Sequence, residues 1–512
     1  MINATFLLRY YAGKRLPQLA TQNAAAAQEA VLRSLLAMAA GTRFGRDHGF
    51  ATITTIEEYR RRVPLRRYED FWAEYWKDSF PRLYDCTWPG LIRYFCVTSG
   101  TTTGVTKYIP CSDKMVAANI RAGSDMLVHH LANRPNTRIL AGRNLMLGGS
   151  TDLKEHTPKV HSGDLSGIAA ANVPWWARPR YFPPREIALL PDWEEKIERM
   201  ARLSLKANIT SISGTPSWLL LFFDRVAALK GGTSHRLVDL YPNLELIAHG
   251  GVHFAPYRAR FDSWLEGSHA ETREAYAASE GFIAMADRGS GEGLRLLVDN
   301  GLFLEFVPVD ELGTPNPTRH SVAEAELGVN YAVVLSNCAG AWSYIIGDTV
   351  KFVSRDPPRV LVTGRTTYSL SAFGEHLIDA EIEESVTAAA QEIGANVTDY
   401  SVGPVFPTGP GTRGRHFYIV EFERAVADRG RLERFAARLD KALAETNEDY
   451  ATHRAGGFGL DPPQVMEIAP GSFAEWMKRR GRLGGQNKVP RIINDATLLA
   501  NLREFAETAK TL

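Results

Sequence analysis

The chain has 512 residues, 45% of them hydrophobic and 23% charged, the balance of a globular protein with core enough for roughly three domains of ~150 residues. Its formal net charge of +1 excludes the strong positive field of a nucleic-acid or anionic-membrane binder. Four cysteines (Cys86, Cys96, Cys111, Cys338) without CxxC spacing exclude a disulfide framework and point to a reducing compartment.

Near the start, Thr5-Phe6-Leu7-Leu8 is interrupted at once by Arg9, so no signal-peptide apolar region is expected. Gln22 to Met38 has helical spacing, with Val31, Leu35 and Met38 on one side. Leu91 to Val97 reads as a buried strand, and Asp113 to Leu131 and Trp193 to Ala207 read as helices. Ala207 to Phe223 is the most apolar stretch, but it contains Gly214 and Pro216 and is too short and polar to span a bilayer, so the expected location is cytoplasmic. After the breaker Ser213-Gly214-Thr215-Pro216-Ser217, a helix is expected over Leu219 to Leu229, and a short strand over Leu244 to Ala248.

From Leu294 to about Val353 the pattern turns to strands: Leu302 to Val309, Tyr331 to Leu335 and Thr349 to Val353, with Val360 to Thr363 after a Pro-rich turn. This block suggests a barrel-like or meandering sheet. A main boundary falls at Gly364-Arg365, giving domains 1–364 and 365–512. Beyond it come a strand (Ser369 to Phe373), a helix (Ile378 to Ile393), two strands (Val397 to Val405, Phe417 to Phe422) and a helix (Leu432 to Asn447), the order of a small α+β domain with helices on one sheet face.

Four motifs stand out. Thr98-Ser-Gly-Thr-Thr-Thr-Gly-Val-Thr-Lys107 packs hydroxyls, two glycines and a lysine between strands, as a polyphosphate requires: Gly100 and Gly104 let backbone N–H groups approach an anion, and Lys107 adds charge. By itself such a run is more often a solvated turn. Ser279-Glu280-Gly281 offers a carboxylate suited to Mg²⁺, or else a solvated helix end. Ser343-Tyr-Ile-Ile-Gly-Asp348 sets an acid at a turn, open to ribose hydroxyls or to a plain Asp turn. Arg482-Leu-Gly-Gly-Gln-Asn-Lys488-Val-Pro-Arg491 carries a lysine at the end of a glycine loop, which in isolation is more often just a solvated charge. His129 and His130 point to different faces, His156 and His161 lack the spacing of a helical metal pair, and no Gly-x-Ser-x-Gly elbow anchors a hydrolase triad.

In this order the motifs resemble the auxin-responsive acyl acid amido synthetases, the Gretchen Hagen family of the acyl-adenylate-forming superfamily, from Phe44-Gly45 to Pro490-Arg491. Bacterial members are the most similar, through Ser371-Ala372-Phe373-Gly374-Glu375, Asn447-Glu448-Asp449-Tyr450 and Gly484 to Arg491. The resemblance implies a mixed α/β fold: a large N-terminal adenylate-forming domain with α/β subdomains and a β-barrel-like subdomain, and a small mobile α+β C-terminal domain. It implies an ATP- and Mg²⁺-dependent ligase that activates a carboxylic acid as acyl-adenylate and transfers it to an amine, expected to be an amino acid, with no nucleic-acid or membrane partner. Rival expectations are an acyl-CoA ligase with the same first step and a catalytically inactive nucleotide-binding protein.

By the same resemblance Ser99, Gly100, Thr101, Thr102 and Gly104 form the phosphate loop, with Lys107 near the polyphosphate. Ser279 and Glu280 match the metal motif, Ala339 and Cys338 line the adenine and substrate pocket, and Asp348 matches the ribose aspartate. Arg365 lies at the hinge, and Lys488 reaches the α-phosphate and carboxylate. Trp218 and Phe254 fall in segments near the acid pocket and could wall an apolar or aromatic acid, though such residues are more often plain core. Where plant relatives have a Thr-Thr-Tyr-Ala-Gly segment this chain has Ser336-Asn337-Cys338-Ala339-Gly340, and His376 stands where many relatives carry a lysine.

Overall fold

The computed structural model describes residues 2–98, 107–148, 152–175, 177–190, 193–231, 236–251, 254, 257–289, 291–366, 370, 377–405, 414–426, 428–447, 450–451, 454, 460–482 and 488–509. The strands in chain order are β1 (Tyr94–Thr98), β2 (Lys107–Cys111), β3 (Arg143–Leu147), β4 (Lys154–Thr157), β5 (Val160–Gly163) and β6 (Tyr181–Phe182). Then come β7 (Ile209–Gly214), β8 (Leu246–Gly250), β9 (Glu271–Ala278), β10 (Gly281–Met285), β11 (Leu294–Leu296) and β12 (Leu302–Pro308). The last six are β13 (Asn330–Asn337), β14 (Tyr344–Arg355), β15 (Pro358–Arg365), β16 (Val397–Val405), β17 (Arg415–Phe422) and β18 (Gln464–Ile468).

Two units result, one of Met1–Ile346 with Val350–Val362 and the other of Gly347–Thr349 with Thr363–Leu512. In the first, β2-β1-β5-β4 form a small sheet in which Thr98 stands opposite Lys107, so the Ser/Thr/Gly-rich run joins the two ends of an antiparallel pair. Eleven strands form the main sheet, ordered β12-β13-β14-β15-β11-β10-β9-β8-β7-β3-β6. From β6 to β9 the pairings are parallel, while β9–β10, β10–β11, β11–β15 and β12–β13 are antiparallel. The strand block after Leu294 is thus the meander, continuous with the parallel strands.

Parallel strands are covered on both faces, and the sequence of β8 explains how. Successive side chains alternate sides. Leu246 packs with Leu8, Val128 and Leu131 from the helices Thr5–Ala20 and Asp113–Asn133, while Ile247 packs with Phe223 and Met200 from Pro216–Leu229 and Trp193–Ser204. Each such fully buried side chain contributes about 1.5–3 kcal/mol. The helix expected from Leu219 begins at Pro216, because proline is preorganised for a helix's first turn. In Ala24–Ala39 the inward row is Leu32, Leu35, Leu36 and Ala39, and buried Gln28 donates to the Val298 and Leu302 carbonyls and accepts from the Leu304 amide.

The second unit departs from the reading of helices on one face. Its sheet β16-β17-β18 is covered on both. Tyr418, Val420 and Phe422 pack against Asp379–Glu392 and Arg429–Thr446; Phe417 and Ile419 pack against Ser472–Arg479 and Ala496–Ala509. Residues 417–420 are apolar at both parities, so both faces need cover, and the last two helices, beyond the elements the sequence indicates, supply it on the second face. The expected strand Ser369 to Phe373 falls, apart from Leu370, outside the described residues.

Candidate active site

In the first unit Lys107 and Glu280 each stand beside a tyrosine, Tyr68 and Tyr344 respectively. Lys107 opens β2, and its ammonium pairs with Glu69 Oε1 at 2.8 Å while lying 5.2 Å from the centre of the Tyr68 ring. Tyr68 and Glu69 come from the turn Tyr68–Phe71, and the Tyr68 hydroxyl accepts from the Tyr108 amide at 3.0 Å. Burial, the largest single influence, raises the Glu69 carboxyl, but the hydrogen bond and charge of Lys107, a backbone hydrogen bond and the charge of Arg67 together outweigh it and the net shift is downward. Glu280 sits in a turn between β9 and β10, followed by Gly281 at φ +140°, so the helix-end reading of this motif is replaced by a hairpin. It is 8% exposed, and Tyr344 of β14 bonds its carboxylate. Burial first, then the charges of Glu280 and Glu69, push the Tyr344 phenol well up, so it stays a donor.

Asn337, at the end of β13, fixes the Glu280 turn from behind. Its side-chain amide donates to the Glu280 carbonyl at 2.9 Å, and its oxygen accepts from the amides of Ala339 and Ala341 at 3.0 Å each. Cys338 is buried, its carbonyl accepts from the Ser112 hydroxyl, and burial pushes its thiol up to about 12.

In the second unit Asp348 and Arg365 form an ion pair, Nε to Oδ1 at 3.0 Å. Gly347, at φ +88°, supplies the backbone turn beside it, and its carbonyl accepts from the Thr366 amide at 2.7 Å. Lys488 keeps solvent access, yet its ammonium is held below the ordinary lysine value, at about 8: protein packed around it comes first, then Arg365 and Arg491, opposed by Asp348 and Asp379.

The remaining expected residues divide. Ser99, Gly100, Thr101, Thr102, Gly104 and His376 lie outside the described residues. Ser279 and Ala339 stand with Glu280 and Asn337. Trp218 and Phe254 share one core cluster, where Phe254 stacks on His249 at 3.8 Å, and Cys338 belongs to the other large cluster of that unit. A cavity of about 530 Å³, lined by His130, Arg134, Asn208 and Glu245 among others, contains none of the expected site residues. It lies where β7 and β8 begin, whereas ligands of open α/β sheets bind where parallel strands end. Glu69, Tyr68 and Asn337 carried no sequence signal of their own role; Tyr344 lies inside the Ser343–Asp348 motif, but only the strand order brings it to Glu280.

Three consecutive stretches match family descriptions: GH3 family N-terminal domain over residues 15–270, central domain over 295–365 and C-terminal domain over 380–497. The chain belongs to the GH3 family. It is similar to the indole-3-acetic acid-amido synthetase GH3.8 of Oryza sativa subsp. indica, 25% identical over 59% of this chain and 53% of that protein. It is also similar to GH3.3 of Arabidopsis thaliana, 24% identical over 58% and 51%. The chain therefore spans about half the length of these curated relatives. In fold this GH3 protein matches the GH3.15 acyl acid amido synthetase, with TM-score 0.78, 16% identity and coverage of 96% of this chain and 95% of that one. It also matches 2-hydroxyisobutyryl-CoA ligase in the postadenylation state, with TM-score 0.62, 16% identity and coverage of 96% and 94%. The chain shares its fold with both.

Proposed function

We propose that this GH3 protein uses ATP to activate a carboxylic acid as an acyl-adenylate and passes the acyl group to an amino acid, forming an amide and releasing AMP. The observation that carries the reading is that Tyr344 bonds the buried carboxylate Glu280 and also feels the charge of Glu69, the partner of Lys107 at the foot of the Thr98–Lys107 run. A cation facing polyphosphate and an oriented hard-oxygen ligand are the two groups such a reaction needs on the protein side.

A carboxylate is a poor electrophile because oxide is not a viable leaving group. Attack of its oxygen on the α-phosphorus of ATP forms the mixed anhydride and breaks the bond to pyrophosphate. The amine then attacks the acyl carbon, loses a proton, and AMP leaves. No protein nucleophile is needed; charge neutralisation is. In this reading Ser99 to Gly104 wrap the phosphates, Lys107 leaves Glu69 for them, and Asp348 receives the ribose. Lys488 steadies charge on the carboxylate and α-phosphate. Glu280 with Ser279 would hold Mg²⁺: the buried carboxylate, bonded by Tyr344, is a hard-oxygen donor of the kind such a cation takes. When bound, the ion neutralises charge on the departing pyrophosphate. Residues 1–364 form the ATP- and acid-binding part in this reading, and 365–512 a mobile part turning at Arg365 between the two half-reactions.

Likeness in fold to a CoA ligase supports a second reading in which the acceptor is a thiol. Incubation with ATP, Mg²⁺ and a panel of acids, followed by amino acids or CoA, separates the two. Acid-dependent pyrophosphate exchange with amide product is expected; thioester without amide overturns the choice of acceptor, and ATP binding without exchange overturns the activity.

A further inference from the structure

The segment just after Lys488 is anchored by side-chain and backbone contacts that the proposed chemistry leaves unused. Pro490–Ile493 lies along β16. The Ser401 hydroxyl donates to the Pro490 carbonyl at 2.8 Å, the Val402 amide to the Arg491 carbonyl at 2.6 Å, and the Ile493 amide to the Val402 carbonyl at 2.8 Å. The Arg491 side chain turns into the same unit. Its Nη1 stands 2.7 Å from Glu383 Oε1, its Nε 3.6 Å from Asp399 Oδ1, and its guanidinium carbon 5.0 Å from the centre of the Tyr400 ring. Glu383 is 4% exposed. A planar fork between two carboxylates and over an aromatic face has one orientation, which a lysine in its place would not keep.

We propose that Arg491 is a positioning residue for Lys488, its guanidinium clamped by Glu383, Asp399 and Tyr400 so that the chain leaves β16 at a fixed point and presents the lysine from there. The proposal rests on reading Lys488 as the lysine that meets the reacting carboxylate. From Lys488 to Arg491 the chain reaches at most roughly 10 Å, so the anchor limits where the ammonium can go. Pro490 fixes its own φ and keeps Val489 extended, which stiffens the link further.

Charge ties the two residues together as well. Arg491 helps hold the Lys488 ammonium low, so removing it frees the lysine in position and in protonation. Asp399 in turn is pushed up to about 6, by burial first. Glu421 and Glu383 add to that shift; Arg491 and the Tyr400 amide oppose it. Near that pH one of the two carboxylates facing Arg491 takes up a proton.

Competitive acetylation of the full chain, read by peptide mass spectrometry across pH, reports the titration and reactivity of Lys488 without any turnover. In Arg491→Met the Lys488 midpoint is expected to rise by about half a unit or more as a neighbouring cation is lost. The kcat for amide formation should fall about tenfold or more with the KM for ATP nearly unchanged, because a small misplacement of a reacting group is that costly. Arg491→Lys should restore most of the midpoint but not kcat. Should Arg491→Met fail to fold, Asp399→Asn carries the test: with one carboxylate of the clamp neutral at every pH, Lys488 reactivity should depart from the wild-type profile above about pH 6, where wild-type Asp399 is charged. Lys488 titrations that superimpose on wild type in folded variants overturn the proposal. A shifted titration in a protein inactive towards every acid leaves the anchor standing and overturns the ligase reading instead.

Discussion

The ammonium of Lys107 stands 2.8 Å from a carboxylate oxygen of Glu69, so a phosphate arriving at this lysine must displace a carboxylate already bound. Glu69 is half exposed, and such a pair contributes only about 0–1 kcal/mol to stability. Glu69→Gln should therefore leave the melting temperature almost unchanged while lowering the KM for ATP. Lys107→Ala should cut acid-dependent pyrophosphate exchange at least about tenfold, equivalent to ~1.4 kcal/mol of barrier. An unchanged exchange rate would remove Lys107 from the mechanism.

Tyr344 is the donor that keeps the buried Glu280 carboxylate satisfied. Tyr344→Phe removes it, with an expected loss of about 1–3 kcal/mol in stability, measurable by denaturant unfolding. Glu280→Gln keeps an acceptor for the tyrosine, so stability should move less while exchange falls about 100-fold or more. Magnesium titration of the exchange assay checks the assignment: a Glu280→Gln variant with wild-type activity and magnesium requirement would end the metal role.

Asn337 satisfies three backbone groups inside the core, the Glu280 carbonyl and the Ala339 and Ala341 amides. Asn337→Ala leaves all three unpaired and 0% exposed space unfilled. The expected cost is about 2–4 kcal/mol, at the upper end for one lost side chain because a buried group without a partner carries its full desolvation penalty. Asn337→Asp keeps the acceptor and should fall between the two; equal stability of all three forms would contradict this account.

Periodicity made much of this fold legible. Val397–Val405 is the strand the sequence indicates, and Asp379–Glu392 ends within a residue of the expected helix, because local apolar spacing decides both. Local patterns did not say that the meander and the parallel strands share one sheet. That follows from β11 pairing with β15, a long-range choice invisible in any window. The same limit hid Tyr344 as the partner of Glu280. Glu69 was harder still, since nothing in Tyr68-Glu69-Asp70-Phe71 distinguishes a lysine's partner from a solvated helix start. At Trp218 and Phe254 the apolar character was plain, and burial in a common core cluster is what such residues most often do.

Adjacent histidines on one helix give opposite responses to pH. His130 is buried between Glu271, 2.7 Å from its Nδ1, and Glu245, 3.5 Å from its Nε2. Burial alone would lower its pKa, but these carboxylates prevail and raise it. A histidine with a raised folded pKa contributes stability that is full below its unfolded value of about 6.5 and is lost as pH rises through the folded one. His130→Gln should therefore destabilise most in mild acid, with the gap to wild type narrowing towards alkaline pH. His129 is lowered to about 4, by burial first, with Asp287 opposing and Arg295 and Arg273 adding to the shift. Between that value and about 6.5 the unfolded chain binds a proton that the folded one refuses, so His129 costs stability as pH falls. His129→Gln should make the protein less sensitive to acid, and its gap should run the opposite way. Melting temperatures of both variants and wild type across mildly acidic to mildly alkaline buffers check the pair: opposite slopes are expected, and parallel curves for the two variants would refute the assignment of either histidine.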